Sequence, residues 1–148
     1  MRHPNHPILL ALLLLLAPLL AAAENSTPIP GYVIHHNVIT TDMLSPEVAK
    51  TYGIQRSKNR ALLNVAVVRG RPGRVGTPVP ARVRATAHTL TGQIFEIPLR
   101  EIREGDAIYY IGDFLVSNRQ VLTFDIEVLP PGARHPYRAH LVQEFWTR

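Results

Sequence analysis

The 148-residue chain contains no cysteine and only two lysines, Lys50 and Lys58. Without cysteine there is no disulfide, no thiol nucleophile and no lipid-modified amino terminus, so the folded product must be held by its apolar core alone. Serine is scarce as well. Ser26, Ser45, Ser57 and Ser117 are the full set, and none stands in a G-x-S-x-G setting, which leaves acyl-transfer chemistry without a recognisable nucleophile. Aromatic residues make up 7% of the chain and are not interleaved with the cations, so the stacking platform that binds single-stranded nucleic acid is missing. No nucleic-acid partner is expected. The net charge of +5 comes almost entirely from arginine, an excess that favours acidic partners only weakly.

Long hydrophobic runs are equally few. One spans Ile8 to Leu20 and closes on Ala21-Ala22-Ala23. It is shorter than the roughly twenty apolar residues a membrane-spanning helix needs, and Ala21 and Ala23 form an A-x-A cleavage pattern before Glu24. Residues 1–23 are therefore expected to be a secretory signal peptide, and the remainder to be a periplasmic protein with no stable membrane span. Residues 24–31, punctuated by Pro28, Pro30 and Gly31, read as a flexible lead-in. Residues 32–148 are enough for one domain.

Within that domain the stretch from Ser45 has the most definite local logic. Ser45 suits a helix cap, Pro46 the first helical position, and Glu47 the positive helix end. Gly53 stands where a helix of about two turns needs a left-handed residue to stop, with Ile54 folding back onto Val48 and Tyr52. This predicts a short helix over residues 46–52. A cationic loop follows, Arg56-Ser57-Lys58-Asn59-Arg60.

Everything else has the period of strands. Tyr32–Ile39 is rich in β-branched residues, and Leu62–Val68 is apolar on both faces, as in a central strand covered on both sides. Val83, Ala85 and Ala87 alternate with polar residues, and Thr91-Gly92 turns the chain into Ile94–Leu99, where Pro98 marks an edge. Gly112, inside Ala107–Val116, indicates a bulge or a close backbone approach. Leu122, Phe124, Ile126 and Val128 alternate most cleanly, and Tyr137–Trp146 is the last strand. About seven strands with one short helix give an all-β, antiparallel immunoglobulin-like sandwich, with a closed barrel as the competitor.

Taken together, Leu44-Ser45-Pro46-Glu47-Val48-Ala49-Lys50, Tyr52-Gly53-Ile54 with Arg56-Ser57-Lys58-Asn59-Arg60-Ala61-Leu62, Tyr110-Ile111-Gly112-Asp113-Phe114 and Leu122-Thr123-Phe124-Asp125-Ile126 resemble the DUF4426 family. These are small exported proteobacterial proteins of uncharacterised function. The resemblance implies export and a β-rich single domain, and it carries over no reaction, ligand or catalytic residue.

Candidate chemistry has to be built from the residues themselves. Among the histidines, His35 and His36 are adjacent on a strand and point to opposite faces, so they cannot chelate one ion together. His88, His135 and His140 could meet only if brought in from different strands. Asp125 and Glu127 share a strand face, where pairing with arginines of neighbouring strands is the simpler expectation than acid and base catalysis. No catalytic residue, metal or cofactor is assigned. Arg56, Ser57, Lys58, Asn59 and Arg60 form the candidate site for an acidic ligand or partner; the competing role is structural, with Arg56 bracing a carboxylate such as Asp125. The function expected is a non-catalytic binding or interaction module of the cell envelope, its partner an unknown envelope protein or acidic ligand. The alternative is a small periplasmic hydrolase or metal-dependent enzyme.

Overall fold

The computed structural model describes residues 25–148, so the signal peptide expected over residues 1–23 lies outside the described residues. Two antiparallel sheets face each other. The first joins β1 (Asn25–Ile29), β2 (Tyr32–Thr40), β3 (Arg60–Arg69), the two-residue β4 (Thr77–Pro78), β7 (Arg100–Glu104) and β8 (Ala107–Leu115), in the order β1-β2-β3-β8-β7 with β4 beside the end of β3. The second has the order β10-β9-β5-β6, from β5 (Arg82–Thr89), β6 (Ile94–Ile97), β9 (Gln120–Leu129) and β10 (Tyr137–Phe145). The sandwich is therefore the fold, with ten strands among the described residues instead of about seven.

The three additional strands have separate causes. β1 replaces the flexible lead-in: despite Pro28, Asn25 to Ile29 pair with β2 from Asn25 opposite His36 to Ile29 opposite Tyr32. Proline is tolerated there because β1 is an edge. β7 carries four charges in five residues and has the look of a loop, yet it needs to bury only Ile102 on one side. β4 is too short to leave a periodic signal.

Alternation fixes the main core. Leu122, Phe124, Ile126 and Val128 of β9 are fully buried against Ile34, Leu63, Val65 and Val67 of the facing sheet. Phe114 stands at the centre of an aromatic cluster, 5.5 Å from Phe124 and 6.3 Å from both Phe95 and Phe145 between ring centroids. The tilted and edge-on geometries are those aromatic quadrupoles prefer.

A smaller cluster lies on the outer side of the first sheet. There the helix α1 (Pro46–Tyr52) covers Leu62 and Ile111 with Leu44, Ala49 and Ile54, which explains why Leu62 and Leu63 are both apolar. Its ends are as the local chemistry demands. Ser45 Oγ accepts from Val48 N at 3.2 Å, and Gly53, at φ 65°, closes a Schellman motif in which Gly53 N donates to Lys50 O and Ile54 N to Ala49 O. The Tyr52 hydroxyl donates to Glu104, and Arg100 donates to the Tyr52 carbonyl, so the helix end is fastened to β7. Burial first, then the Glu104 carboxylate, pushes the Tyr52 hydroxyl well above the usual tyrosine range.

β6 and β7 lie in different sheets but are separated only by Pro98 and Leu99. They are one bent strand that changes sheet at a corner. Gly112 of β8 faces that corner, with Pro98 O, Ile97 Cγ2 and Leu99 Cδ2 where a side chain would stand. This is the close backbone approach that a glycine inside a strand signals.

Candidate functional site

The loop from Arg56 to Arg60 follows α1 directly, and most of its polar groups bond within the fold. Arg56 Nε donates to Leu44 O at 2.7 Å and its terminal nitrogen to Asp42 O at 3.0 Å. These carbonyls belong to the segment leading into α1, so Arg56 ties the entry of the helix to its exit. Its partner is not Asp125, which lies on the other sheet. Buried Thr41 pins the same loop, its hydroxyl donating to Gln55 O at 2.8 Å and accepting from Ser57 N at 2.9 Å. Ser57 Oγ accepts from Asn59 N, and Asn59 O accepts from Val116 N. Arg60 forms an ion pair with Asp113 of β8 at 2.5 Å. Lys58 is exposed, and among the described residues no partner engages it.

A second polar arrangement forms on the outer side of the four-stranded sheet, which no helix covers among the described residues. Register assembles it: Asp125 of β9 lies between Thr86 of β5 and His140 of β10, and His88 lies two residues further along β5, opposite Thr123 and on the same face. His88 Nε2 stands 2.8 Å from Asp125 Oδ2, and His140 Nδ1 stands 2.5 Å from Oδ1. One carboxylate thus serves two imidazoles, one through each oxygen. Because the carboxylate can only accept, the contacting nitrogens carry the protons. The remaining nitrogens, His88 Nδ1 and His140 Nε2, are left outside the contact with Asp125. Further along the same face Glu127 accepts from Arg138 at 2.9 Å, and Arg84 reaches Glu96 at 3.4 Å. Arg84, Thr86, Asp125, Glu127 and Arg138 line a shallow depression here.

Arginine pairing is therefore right for Glu127, while Asp125 takes histidines. Sequence spacing could place these residues on an outward face but could not supply the register that joins three strands. Among the described residues no group of three or more His, Asp or Glu side chains is set to hold a metal ion; the two imidazoles spend their near nitrogens on opposite oxygens of Asp125.

The third polar feature is internal. His36 of β2 points between the sheets and is almost fully buried, with Nε2 3.1 Å from Thr27 Oγ1 of β1 and, among the described residues, no partner at Nδ1. Burial, with a smaller contribution from neighbouring His35, lowers its pKa below the ordinary value.

The profile of DUF4426, a domain of unknown function, matches residues 27–148. The chain belongs to the DUF4426 family. A crystal structure of a DUF4426 protein from Pseudomonas aeruginosa PAO1 is similar at 29% identity and a TM-score of 0.72, over 86% of this chain and 98% of that one. FetP from uropathogenic Escherichia coli strain F11, recombinantly expressed in the periplasm of E. coli, shares the fold at 11% identity and a TM-score of 0.60, over 85% and 95% of the two chains. A copper-bound variant of FetP gives 11% and 0.61, over 85% and 97%. No curated protein matches. Among the described residues of this DUF4426 chain, no helix is long and apolar enough to cross a membrane.

Proposed function

We propose that this DUF4426 chain is a non-catalytic binding module of the cell envelope, and that its ligand face is the uncovered side of the four-stranded sheet centred on Asp125. The observation that carries this reading is the single Asp125 carboxylate orienting His88 and His140, each with a ring nitrogen left over. Two part-exposed imidazoles oriented by one carboxylate and flanked by arginine–glutamate pairs suit a polar partner. Placement in the periplasm rests on the signal-like residues 1–23 and on the fold held in common with FetP, a protein that was expressed in that compartment. The Arg56–Arg60 loop is the second place for an acidic ligand, and it would act through Lys58.

The hydrolase or metal-dependent alternative has the same cluster in its favour, since a carboxylate-oriented imidazole can act as a base. Asp125→Asn separates the two readings. Binding predicts that the variant keeps its denaturation midpoint and loses capture of its partner from envelope extract, with no turnover in a broad ester, amide and phosphoester screen. Turnover by the wild type that the variant lacks would replace the binding reading with the enzymatic one.

A further inference from the structure

The sandwich has four sheet edges, and three of them carry features that discourage strand addition. β1 contains Pro28, β6 is four residues long and runs into Pro98, and β7 is five residues with Arg100, Glu101, Arg103 and Glu104. Short length, proline and charge are the usual protections of a free edge. β10 is neither short nor broken by proline, and its two charges, Arg138 and Glu144, are opposite in sign. It is nine residues long, Tyr137–Phe145, without proline or lysine, and among the described residues it pairs only with β9. Its free backbone groups are identifiable. Phe145 O accepts from Arg119 N on the β9 side, whereas Glu144 O accepts from the Gln143 side-chain amide at 2.9 Å. Alternation then turns the N–H and C=O groups of Arg138, His140, Val142 and Glu144 outward along the edge.

The side chains of that edge are complementary to themselves. If a second β10 is laid antiparallel with Leu141 opposite Leu141, Arg138 falls opposite Glu144 of the other copy, and Glu144 opposite Arg138. On the inner side Tyr137 falls opposite Phe145. His140 meets Val142, a residue left 63% exposed in the single chain. Opposite charges and aromatic pairs at directly opposed positions are the stabilising units of a sheet. We propose that β10 is an isologous interface through which two copies of this chain join their four-stranded sheets into one continuous eight-stranded sheet.

Such a dimer has a consequence for the polar face. The two His140 residues become diagonal neighbours, about 7–8 Å apart at the backbone, so the two His88–Asp125–His140 clusters form one band across the joined sheets. The dimer stands independently of what that face binds.

Charge reversal tests the register. In the full chain, sedimentation should show a wild-type dimer. Glu144→Arg places arginine opposite Arg138 twice, and Arg138→Glu places glutamate opposite Glu144 twice, so each variant alone should dissociate about tenfold more readily. Mixed together, the two variants restore opposite charge at both positions and should re-form a heterodimer. Circular dichroism shows whether each variant is folded, and Val142→Lys, which adds an edge charge without touching either pair, gives a second disruption. A wild type that stays monomeric at millimolar concentration overturns the proposal. So does a dimer that both single variants leave intact, or a failure of the folded variants to recombine.

Discussion

Replacing Gly112 by alanine tests the corner at which the chain changes sheets. Gly112 does not have a positive φ, so the added methyl meets no backbone strain, and in open space the change should stabilise by about 0.4–1 kcal/mol through the unfolded chain. The corner removes that space. A Cβ at this position would lie 2.8 Å from Ile97 Cγ2 and 3.0 Å from Leu99 Cδ2, and nearer still to the Pro98 carbonyl oxygen. Two of these obstacles are side chains that can give way. The third is backbone, fixed by its place between β6 and β7. Overpacking of this kind costs about 1–3 kcal/mol, or a melting temperature lower by roughly 3–12 °C for a domain of this size. Differential scanning calorimetry on Gly112→Ala measures it directly. Trimming Leu99 to alanine in the same protein should fail to rescue it, because the carbonyl remains. A melting temperature equal to or above wild type would refute the close approach, and rescue by Leu99→Ala would show that the side chain and not the backbone is the obstacle.

Two further outcomes are expected. Arg56→Ala loses two hydrogen bonds to the carbonyls of Leu44 and Asp42 and should lower the urea midpoint by the equivalent of about 1–2 kcal/mol, while Lys58→Ala should stay within about 0.5 kcal/mol; equal effects would remove the distinction between brace and free cation. For His36, burial favours the neutral ring, so its contribution to stability is fully present above the ordinary value of 6.5 and is lost as pH falls through the lowered folded value. His36→Leu should flatten that part of the acid side of a stability profile measured by denaturant midpoints, and a profile parallel to wild type would show that His36 does not titrate with unfolding.

How far the sequence foretells this structure depends on how local the cause is. The bounds of α1 are legible to the residue, since Ser45, Pro46 and Gly53 each act within one turn of chain. β9 is legible because both of its faces have a uniform character, and Gly112 announces a close approach without saying what approaches. β1 and β7 are not legible, because their pairing is supplied by β2 and β8 while their own residues are proline-bearing or charged. The polar cluster depends wholly on register. His88, Asp125 and His140 lie up to 52 positions apart in the chain, and nothing local to any of them selects the other two. For the Arg56 loop the residue type indicates a guanidinium with several acceptors, yet the acceptors are main-chain carbonyls, which every segment offers equally.

The corner at Pro98 and Leu99 also makes the two sides of the sandwich unequal. On one side a continuous chain runs from sheet to sheet, and Gly112 lets β8 press against it. On the other side β10 packs against β1 and β2, the Tyr32 hydroxyl donates to Pro131 O in the turn before β10, and among the described residues no chain crosses between the sheets there. The molecule is built like a book with a spine, and its transient openings should begin at the fore-edge. Amides of β1 should therefore exchange with solvent through small local excursions, while those of β8 beside the spine exchange only when the whole domain comes apart. His36 sits inside the fore-edge, where a page lifted briefly would wet its free nitrogen and close again with the core otherwise undisturbed.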